Sequence, residues 1–312
     1  MVRGLLWLGL LAVLLIAILG PYLALHREAR TLDAATRKAL GGTYVTLPSG
    51  VTHYELSGPA DGPTVVLIHG GTIPFYAWDA QVPALHDAGF RVLRYDHFGR
   101  GHSDRPQVDY DRALYQKQLQ DLLAALDIEG RVNLVGVSFG GAIAATFAEA
   151  HPERVAKLVL IAPVVDYAEG KALFGLAQVP LLSDWYARVS SVRATVARAN
   201  GFFEESGADP NYAQRFEEQT RFEGYEQALL SMSRTNALTS YRDTYAALGD
   251  QPTLLLWGSD DAEIPREHME LLRETIGNVS LVQIEGAGHG VTIQRKETVN
   301  RHLTDFLSDQ EQ

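Results

Sequence analysis

The stretch Val132-Asn133-Leu134-Val135-Gly136-Val137-Ser138-Phe139-Gly140 decides the fold. An apolar strand runs into a serine flanked by two glycines, and a helix of small residues, Gly140 to Ala150, follows. A residue on so sharp a turn adopts strained backbone angles, and glycines two positions away let the strand and the helix close around it. The sequence therefore predicts a strand–turn–helix unit with Ser138 exposed at the turn as a candidate nucleophile.

Similar strands and helices alternate along the chain. Beside Val132–Val137, we predict strands over Thr43–Leu47, Val51–Leu56, Thr64–Ile68, Arg91–Tyr95, Lys157–Ile161, Thr253–Trp257 and Val279–Ile284. Helical periodicity covers Trp78–Ala88, Leu114–Leu126, Gly140–Ala150, Arg266–Ile276 and Glu297–Leu307. This alternation predicts an α/β fold, a mostly parallel eight-stranded sheet with helices on both faces and ligands at the carboxyl ends of the strands.

One segment, from about Asp166 to Asp250, breaks the alternation. It carries helical patterns, including Leu181–Ala199 and Asn211–Arg234, and no obvious buried strand. Because so long a connection is rarely a loop, we predict a helical cap over the strand ends. The predicted organisation is therefore an N-terminal segment (1–25), a tether (26–41), a core (42–165 and 251–312) and a cap (166–250).

Ser138 needs a base, because a serine hydroxyl is a poor nucleophile until its proton is removed. Among the ten histidines, His289 stands in a glycine-rich loop, Gly286-Ala287-Gly288-His289-Gly290, just after a predicted strand. Such a loop leaves the imidazole free to reach across the sheet. His289 is the candidate base.

A carboxylate must accept the second imidazole proton and fix its tautomer. Asp260 and Asp261 both follow the strand Thr253–Trp257, and the local pattern does not separate them. Two donors are also needed for an oxyanion. The backbone N–H of Phe139 is one candidate, and the loop His69-Gly70-Gly71-Thr72 supplies the other.

These motifs, with the stretch Arg94-Tyr95-Asp96-His97-Phe98-Gly99-Arg100-Gly101-His102-Ser103-Asp104, resemble the lid-bearing α/β-hydrolases. Bacterial carboxylesterases and monoacylglycerol-lipase-like enzymes are the most similar, and the resemblance runs from about Gly42 to Leu307. It implies that Asp261, the last residue of a G-x-x-D register, is the acid, with Asp260 as the alternative. It also implies Gly71, in preference to Thr72, as the second oxyanion donor and a structural role for the loop around His97 and His102.

The resemblance implies a serine carboxylic-ester hydrolase that forms an acyl-enzyme on small-molecule or lipid esters with apolar acyl groups. Ser138 argues against dehalogenases and epoxide hydrolases, which use a carboxylate nucleophile. Two alternatives stay open. One is a carbon–carbon hydrolase of ring-cleavage products, where Arg234 could act as the cap arginine, and the other is a receptor that merely retains the fold.

Composition excludes other classes. The 38 acidic and 27 basic residues give a formal charge of -11, which disfavours nucleic acid. The chain has no cysteine, so thiolate chemistry is excluded. We find no metal-ligand spacing or dinucleotide fingerprint and expect no cofactor. The oligomeric state is left open.

The N-terminus is uncharged from Gly4 to Leu25. About 20 apolar residues are enough to span a bilayer, and no A-x-A site follows, so we favour an uncleaved single-pass anchor in a bacterial inner membrane over a cleaved signal peptide of a secreted or periplasmic protein. Flanking charges, with Arg3 before and Arg27 and Arg30 after, do not set its orientation. A helical tether from Arg27 to Leu40 is expected to follow.

Overall fold

The computed structural model describes residues 2–167, 175 and 177–309. Part of the predicted cap, including Phe174 and Leu176, therefore lies outside the described residues. The strands are β1 (Thr43–Leu47), β2 (Gly50–Ser57), β3 (Thr64–Ile68), β4 (Arg91–Tyr95), β5 (Val132–Val137), β6 (Val155–Ile161), β7 (Thr253–Gly258) and β8 (Val279–Ile284). They form one eight-stranded sheet in the order β1-β2-β4-β3-β5-β6-β7-β8.

The sheet confirms the predicted fold class. Strand β2 pairs antiparallel with both β1 and β4, whereas the strands from β4 to β8 pair in parallel. Parallel strands need crossover connections that place helices on the two faces, and every residue of β5 and β7 is buried accordingly. The parallel part thus aligns the carboxyl ends of β3, β5, β7 and β8 at one edge.

The helices of the core accompany these strands. They are α3 (Val82–Asp87), α4 (Arg112–Ala125), α5 (Phe139–Ala150), α11 (Arg266–Thr275), α12 (Val291–Gln294) and α13 (Lys296–Ser308). One apolar cluster lies between the sheet and α4 and α5, and a second lies between the sheet and α3 and α13. The sheet is therefore buried on both faces, as its continuous apolar strands require.

Between β6 and β7 the described residues form a helical insertion. Its helices are α6 (Leu182–Tyr186), a π-helical turn (Ala187–Ser191), α7 (Val192–Ser206), α8 (Asn211–Gln219), α9 (Tyr225–Arg234) and α10 (Arg242–Ala246). The pattern over Asn211–Arg234 is split, because Gly224 has a φ of 90° and a Cβ there would meet Arg105 Cβ at 2.6 Å. The helices of the insertion have their own apolar cluster, which includes Phe203, Phe216 and Tyr225.

The N-terminal segment contains α1 (Val2–Ala24) and α2 (Ala34–Leu40). The expectation of a continuous helical tether is wrong for residues 27–33, where Asp33 caps α2 instead. The backbone N–H groups of Ala29 and Arg30 both donate to Arg221 O at 3.0 Å, and Arg27 and Arg30 pair with Glu217 and Glu218. The contacts with the insertion hold this part extended.

Candidate active site

Ser138 sits at the turn between β5 and α5 with φ 54° and ψ -121°. Its N–H donates to Ile161 O at 2.9 Å, and its carbonyl accepts from Gly141 and Val164. These bonds hold a backbone conformation that a serine alone would not adopt. The flanking glycines are sterically required, because a Cβ on Gly136 would lie 2.3 Å from Gly140 O and one on Gly140 would lie 2.1 Å from Ile68 O.

His289 and Asp261 meet at the ends of β8 and β7. His289 Nδ1 lies 2.9 Å from Asp261 Oδ2, and the Asp261 side chain is fully buried. The other carboxylate oxygen of Asp261 accepts the backbone N–H groups of Glu263 and Ile264 at 2.8 and 2.9 Å. Asp260 is exposed and accepts from Ser259 Oγ. Of the two acids that the local pattern left open, the structure brings Asp261 to the histidine.

The two loops that carry these residues are tied together. Asp260 N donates to Ala287 O at 2.9 Å, and Gly288 N donates to Gln294 Oε1 at 2.7 Å. A Cβ on Gly290 would meet the Phe202 ring at 2.3 Å, so the glycine after the histidine allows α7 of the insertion to pack directly against it. Gly290 therefore serves close approach rather than flexibility.

Sequence reasoning missed the surroundings of the imidazole. Glu263 Oε2 lies 3.9 Å from His289 Nε2 and pairs with Arg198 of the insertion. Burial alone lowers the pKa of His289, but the hydrogen bond to Asp261 and the charges of Asp261 and Glu263 outweigh it and raise that pKa above its ordinary value. Glu263 stands two residues after Asp261, the hydrogen-bond partner of His289, and this spacing carries no sequence signal for its proximity to the imidazole.

The predicted oxyanion donors lie side by side. A Cβ on Gly71 would sit 3.6 Å from Phe139 Cβ. His69 Nδ1 lies 2.6 Å from Gly70 O, and Arg100 donates to Gly71 O at 2.6 Å. Since the N–H of a trans peptide points away from its C=O, the contact with Gly70 O fixes the direction of the Gly71 N–H. His69 belongs to the same loop, and its buried imidazole, with a pKa lowered to about 4 by desolvation, anchors that loop.

The loop after β4 is held by hydrogen bonds to other parts of the protein and within itself. Asp96 contacts His53 Nδ1 at 2.8 Å and accepts the N–H groups of Phe75 and His102. His97 Nε2 lies 2.8 Å from His69 O. Both loop histidines are thus engaged within the protein, which agrees with a structural role.

One cavity of about 390 Å³ joins these groups. Ser138, His289, Glu263, Gly71 and Phe139 line it, and the insertion adds a largely apolar wall that includes Phe202, Leu229, Met232 and Leu238. Among the three candidate residues, the structure shows a hydrogen bond between His289 and Asp261, while Ser138 and His289 line the same cavity. Arg234, the candidate cap arginine, bonds Ala177, Ser183 and Asp184 inside the insertion.

Metal-ligating side chains gather elsewhere. In the described part of the chain, His26, Glu28 and Glu226 place ligand atoms within 4.8 Å of one another. Both oxygens of Glu28 accept backbone N–H groups at the start of α9, and Glu226 pairs with Arg188. None of the three lines the cavity beside Ser138. A metal ion held there would bridge the N-terminal segment and the insertion, away from Ser138.

The chain belongs to the alpha/beta hydrolase fold family, which it matches over residues 63–296. It is 30% identical over 262 residues to a 2-hydroxy-6-oxo-6-phenylhexa-2,4-dienoate hydrolase of Comamonas testosteroni, covering 82% of this chain and 90% of that one. It is 28% identical over 280 residues to a non-heme chloroperoxidase of Streptomyces lividans, covering 85% and 99%.

Among solved structures, a membrane phospholipase A described as a bacterial virulence factor shares the fold with a TM-score of 0.70 and 24% identity. The alignment covers 98% of each chain, so it includes most of α1. The family resemblance drawn from the motifs is therefore confirmed. The family itself spans several reactions, and the hydrolase class is what the comparisons establish.

Proposed function

We propose that the chain is a serine carboxylic-ester hydrolase in which Ser138 is the nucleophile, His289 the base and Asp261 the orienting acid. The observation that carries the proposal is the part-buried Asp261–His289 hydrogen bond of 2.9 Å at a cavity that the strained Ser138 turn also lines. Histidine held in this way by a carboxylate, with a serine on a strand-to-helix turn, is the arrangement that activates a hydroxyl for acyl transfer.

The proposed reaction has two half-reactions. Ser138 Oγ attacks the acyl carbon while His289 Nε2 takes its proton, and that proton then leaves with the alcohol. Water next attacks the acyl-enzyme, giving its proton to His289, and Ser138 regains a proton as the acid departs. The N–H groups of Gly71 and Phe139 are proposed to hold the oxyanion in both steps.

The apolar insertion supports apolar acyl groups. We infer that it acts as a cap and that medium-chain esters or monoacylglycerols are the substrates, since side chains such as Leu229 and Met232 offer such a chain an apolar wall. A neutral acyl chain also suits a protein of net charge -11.

We further propose that α1 is retained as a single-pass anchor in a bacterial inner membrane. One described helix, over Leu6–Ala24, is long and apolar enough to cross a membrane, a property that a signal sequence near the N-terminus shares. The anchor is favoured because Trp185 Nε1 donates to Ile18 O at 2.8 Å and Arg188 lies over the Tyr22 ring. Full-length protein is expected in the membrane pellet; mature protein that starts beyond Leu25 and is soluble would refute the anchor alone.

The test of the activity is labelling by a fluorophosphonate together with a panel of p-nitrophenyl esters and monoacylglycerols of graded chain length. Ser138 should be the labelled residue and a burst of acyl-enzyme should precede steady turnover. A receptor that only retains the fold would neither be labelled nor turn over these esters.

A second candidate is hydrolysis of a carbon–carbon bond in a ring-fission acid. It is favoured by the name of the 30% identical relative. It is also favoured by Arg198, a cation of the insertion that lines the cavity and that no sequence motif indicated. Arg198 is already paired with Glu263, and we therefore rank this function second. Turnover of a ring-fission diketone in preference to every ester would reverse the ranking.

A further inference from the structure

Large apolar side chains are exposed where the described part of the insertion begins. Val179, Leu181 and Leu182 are 46%, 83% and 50% exposed. We call residues 179–182 the insertion tip. Outside α1, Val108 is the other large apolar side chain of the described residues exposed to this degree. Three such side chains within four residues form a patch that calls for an apolar partner.

The insertion tip lies beside α1. Trp185, one turn after the tip, donates its indole N–H to the backbone carbonyl of Ile18, and the Arg188 guanidinium lies 4.2 Å from the centre of the Tyr22 ring. The start of α6 is therefore held against the last two turns of the apolar helix. The patch therefore lies within one helical turn of residues that contact α1.

The Trp185–Ile18 contact sets the depth at which the insertion tip would lie in a bilayer spanned by α1. Ile18 precedes Ala24, the end of the apolar span, by six residues, or about 9 Å along the helix axis. Helices that lie in a bilayer interface bury their apolar face about 5–10 Å deep. An α1 that spans a bilayer therefore places Trp185 and the neighbouring tip at the depth of an interfacial segment, where tryptophan is enriched.

A second cavity lies behind the tip. It has a volume of about 130 Å³, and Leu182, Trp185 and Leu230 contribute to its mostly apolar wall. Tyr186, Ser191, Leu229 and Ser233 line both this tip cavity and the catalytic cavity. A single layer of side chains therefore separates the bilayer side of the insertion from the space around Ser138.

We propose that the insertion tip is immersed in the same bilayer as α1, and that the tip cavity is the entrance through which one uncharged acyl chain of a membrane glycerolipid reaches the catalytic cavity. The inference rests on the proposed ester hydrolysis and on the proposed anchor. It assigns the bilayer, rather than the aqueous phase, as the source of substrate. Displacement of the Tyr186 and Leu229 side chains would open the passage.

Tryptophan fluorescence tests the immersion directly. Full-length Trp7→Phe protein in phosphatidylcholine vesicles keeps Trp78 and Trp257, which are buried in the core, and Trp185. The Trp185 emission is the difference in fluorescence between this protein and its Trp185→Phe variant. Lipids brominated near the headgroup end of the acyl chains should quench most of that emission. Equal emission in brominated and plain lipid would overturn the proposal, whatever the activity, and cross-linking of tips between two copies would assign the patch to self-association instead.

Activity tests the entrance. Leu181→Asn, whose side chain suits the positive φ of that position, should lower hydrolysis of vesicle-embedded monoacylglycerol by roughly tenfold, the order expected when one leucine no longer enters hydrocarbon. Leu182→Trp should also lower this hydrolysis, because the larger ring narrows the tip cavity. Hydrolysis of a soluble short-chain ester should stay unchanged. Val108→Asn is the matched control and should alter neither.

The outcomes separate the proposals. Equal losses on both substrates, or no loss on either, would overturn the entrance. Absence of turnover on any ester by the unmodified protein would refute the proposed function, while the quenching result would still decide whether the tip enters the bilayer.

Discussion

The edge of the sheet and the insertion build the same cavity by different means. At the sheet edge, Ser138, Asp261 and His289 are held by backbone hydrogen bonds and by glycines that admit no side chain. The insertion contributes apolar side chains from short helices, one of them interrupted by a π-helical turn. The difference teaches that the proposed reacting groups are held by the parallel sheet, whereas the insertion, which we propose to select the substrate, adds side chains to the cavity from outside the sheet.

The largest expected effect falls on the sheet edge. Ser138→Ala should reduce kcat for ester hydrolysis on the order of 10⁴- to 10⁶-fold, because nucleophile and base act as one unit. His289→Ala should cost as much, and the double variant little more. Steady-state kinetics with p-nitrophenyl esters measures this.

The control is Ser233→Ala, a serine of the insertion that lines the same cavity. It should retain most activity, and circular dichroism should show all variants folded. A Ser138→Ala enzyme with substantial turnover would place the chemistry elsewhere.

The next effect separates two neighbouring acids. Asp261→Asn should lower kcat by about 10⁴-fold, the cost of losing the carboxylate that fixes the histidine tautomer. Asp260→Asn should leave kcat nearly unchanged, because that side chain is exposed and bonds Ser259. The same ester assay decides, and the opposite ranking would move the acid to Asp260.

The charges around His289, where the sheet meets the insertion, should affect the pH dependence of kcat/KM. His289 acts as a base only when neutral, and its pKa is raised partly by Glu263. Glu263→Gln should therefore lower that pKa and move the acid limb of kcat/KM to lower pH. The measurement is kcat/KM against pH with a neutral ester.

Arg198→Met provides the opposite control. The guanidinium lowers the pKa of His289, so its removal should move the limb to higher pH. Two shifts of the same sign, or none, would show that the Glu263 and Arg198 charges do not reach the imidazole.

The smallest effect belongs to the insertion alone. Leu229→Ala shortens a side chain of the apolar wall and so enlarges the cavity. It should shift the preference in kcat/KM towards longer acyl chains by roughly tenfold, the low end of what a change of this size confers in an apolar pocket. Fluorophosphonate labelling of Ser138 should keep its rate. A graded ester series checks the shift, and an unchanged preference would exclude Leu229 from the acyl site.

The amino-acid sequence by itself determined the sheet and the nature of the reacting groups. Continuous apolar strands are a local pattern that arises because both faces of the sheet are covered. The glycines around Ser138 arise because backbone approaches backbone there, and Gly290 because the Phe202 ring packs against it. The local pattern did not separate Asp261 from Asp260, and the resemblance to the family favoured Asp261.

Only the tertiary structure decided what depends on contacts between distant segments. The extended tether at residues 27–33 follows from bonds to Arg221 and neighbouring acids nearly two hundred residues away in the chain. Contacts between distant segments also decide three other features. These are the break before α9, the position of Glu263 and Arg198 around His289, and the position of Arg234 outside the cavity. Helical periodicity describes one face of one helix, and the partner that covers this face is chosen by the packing of the whole chain.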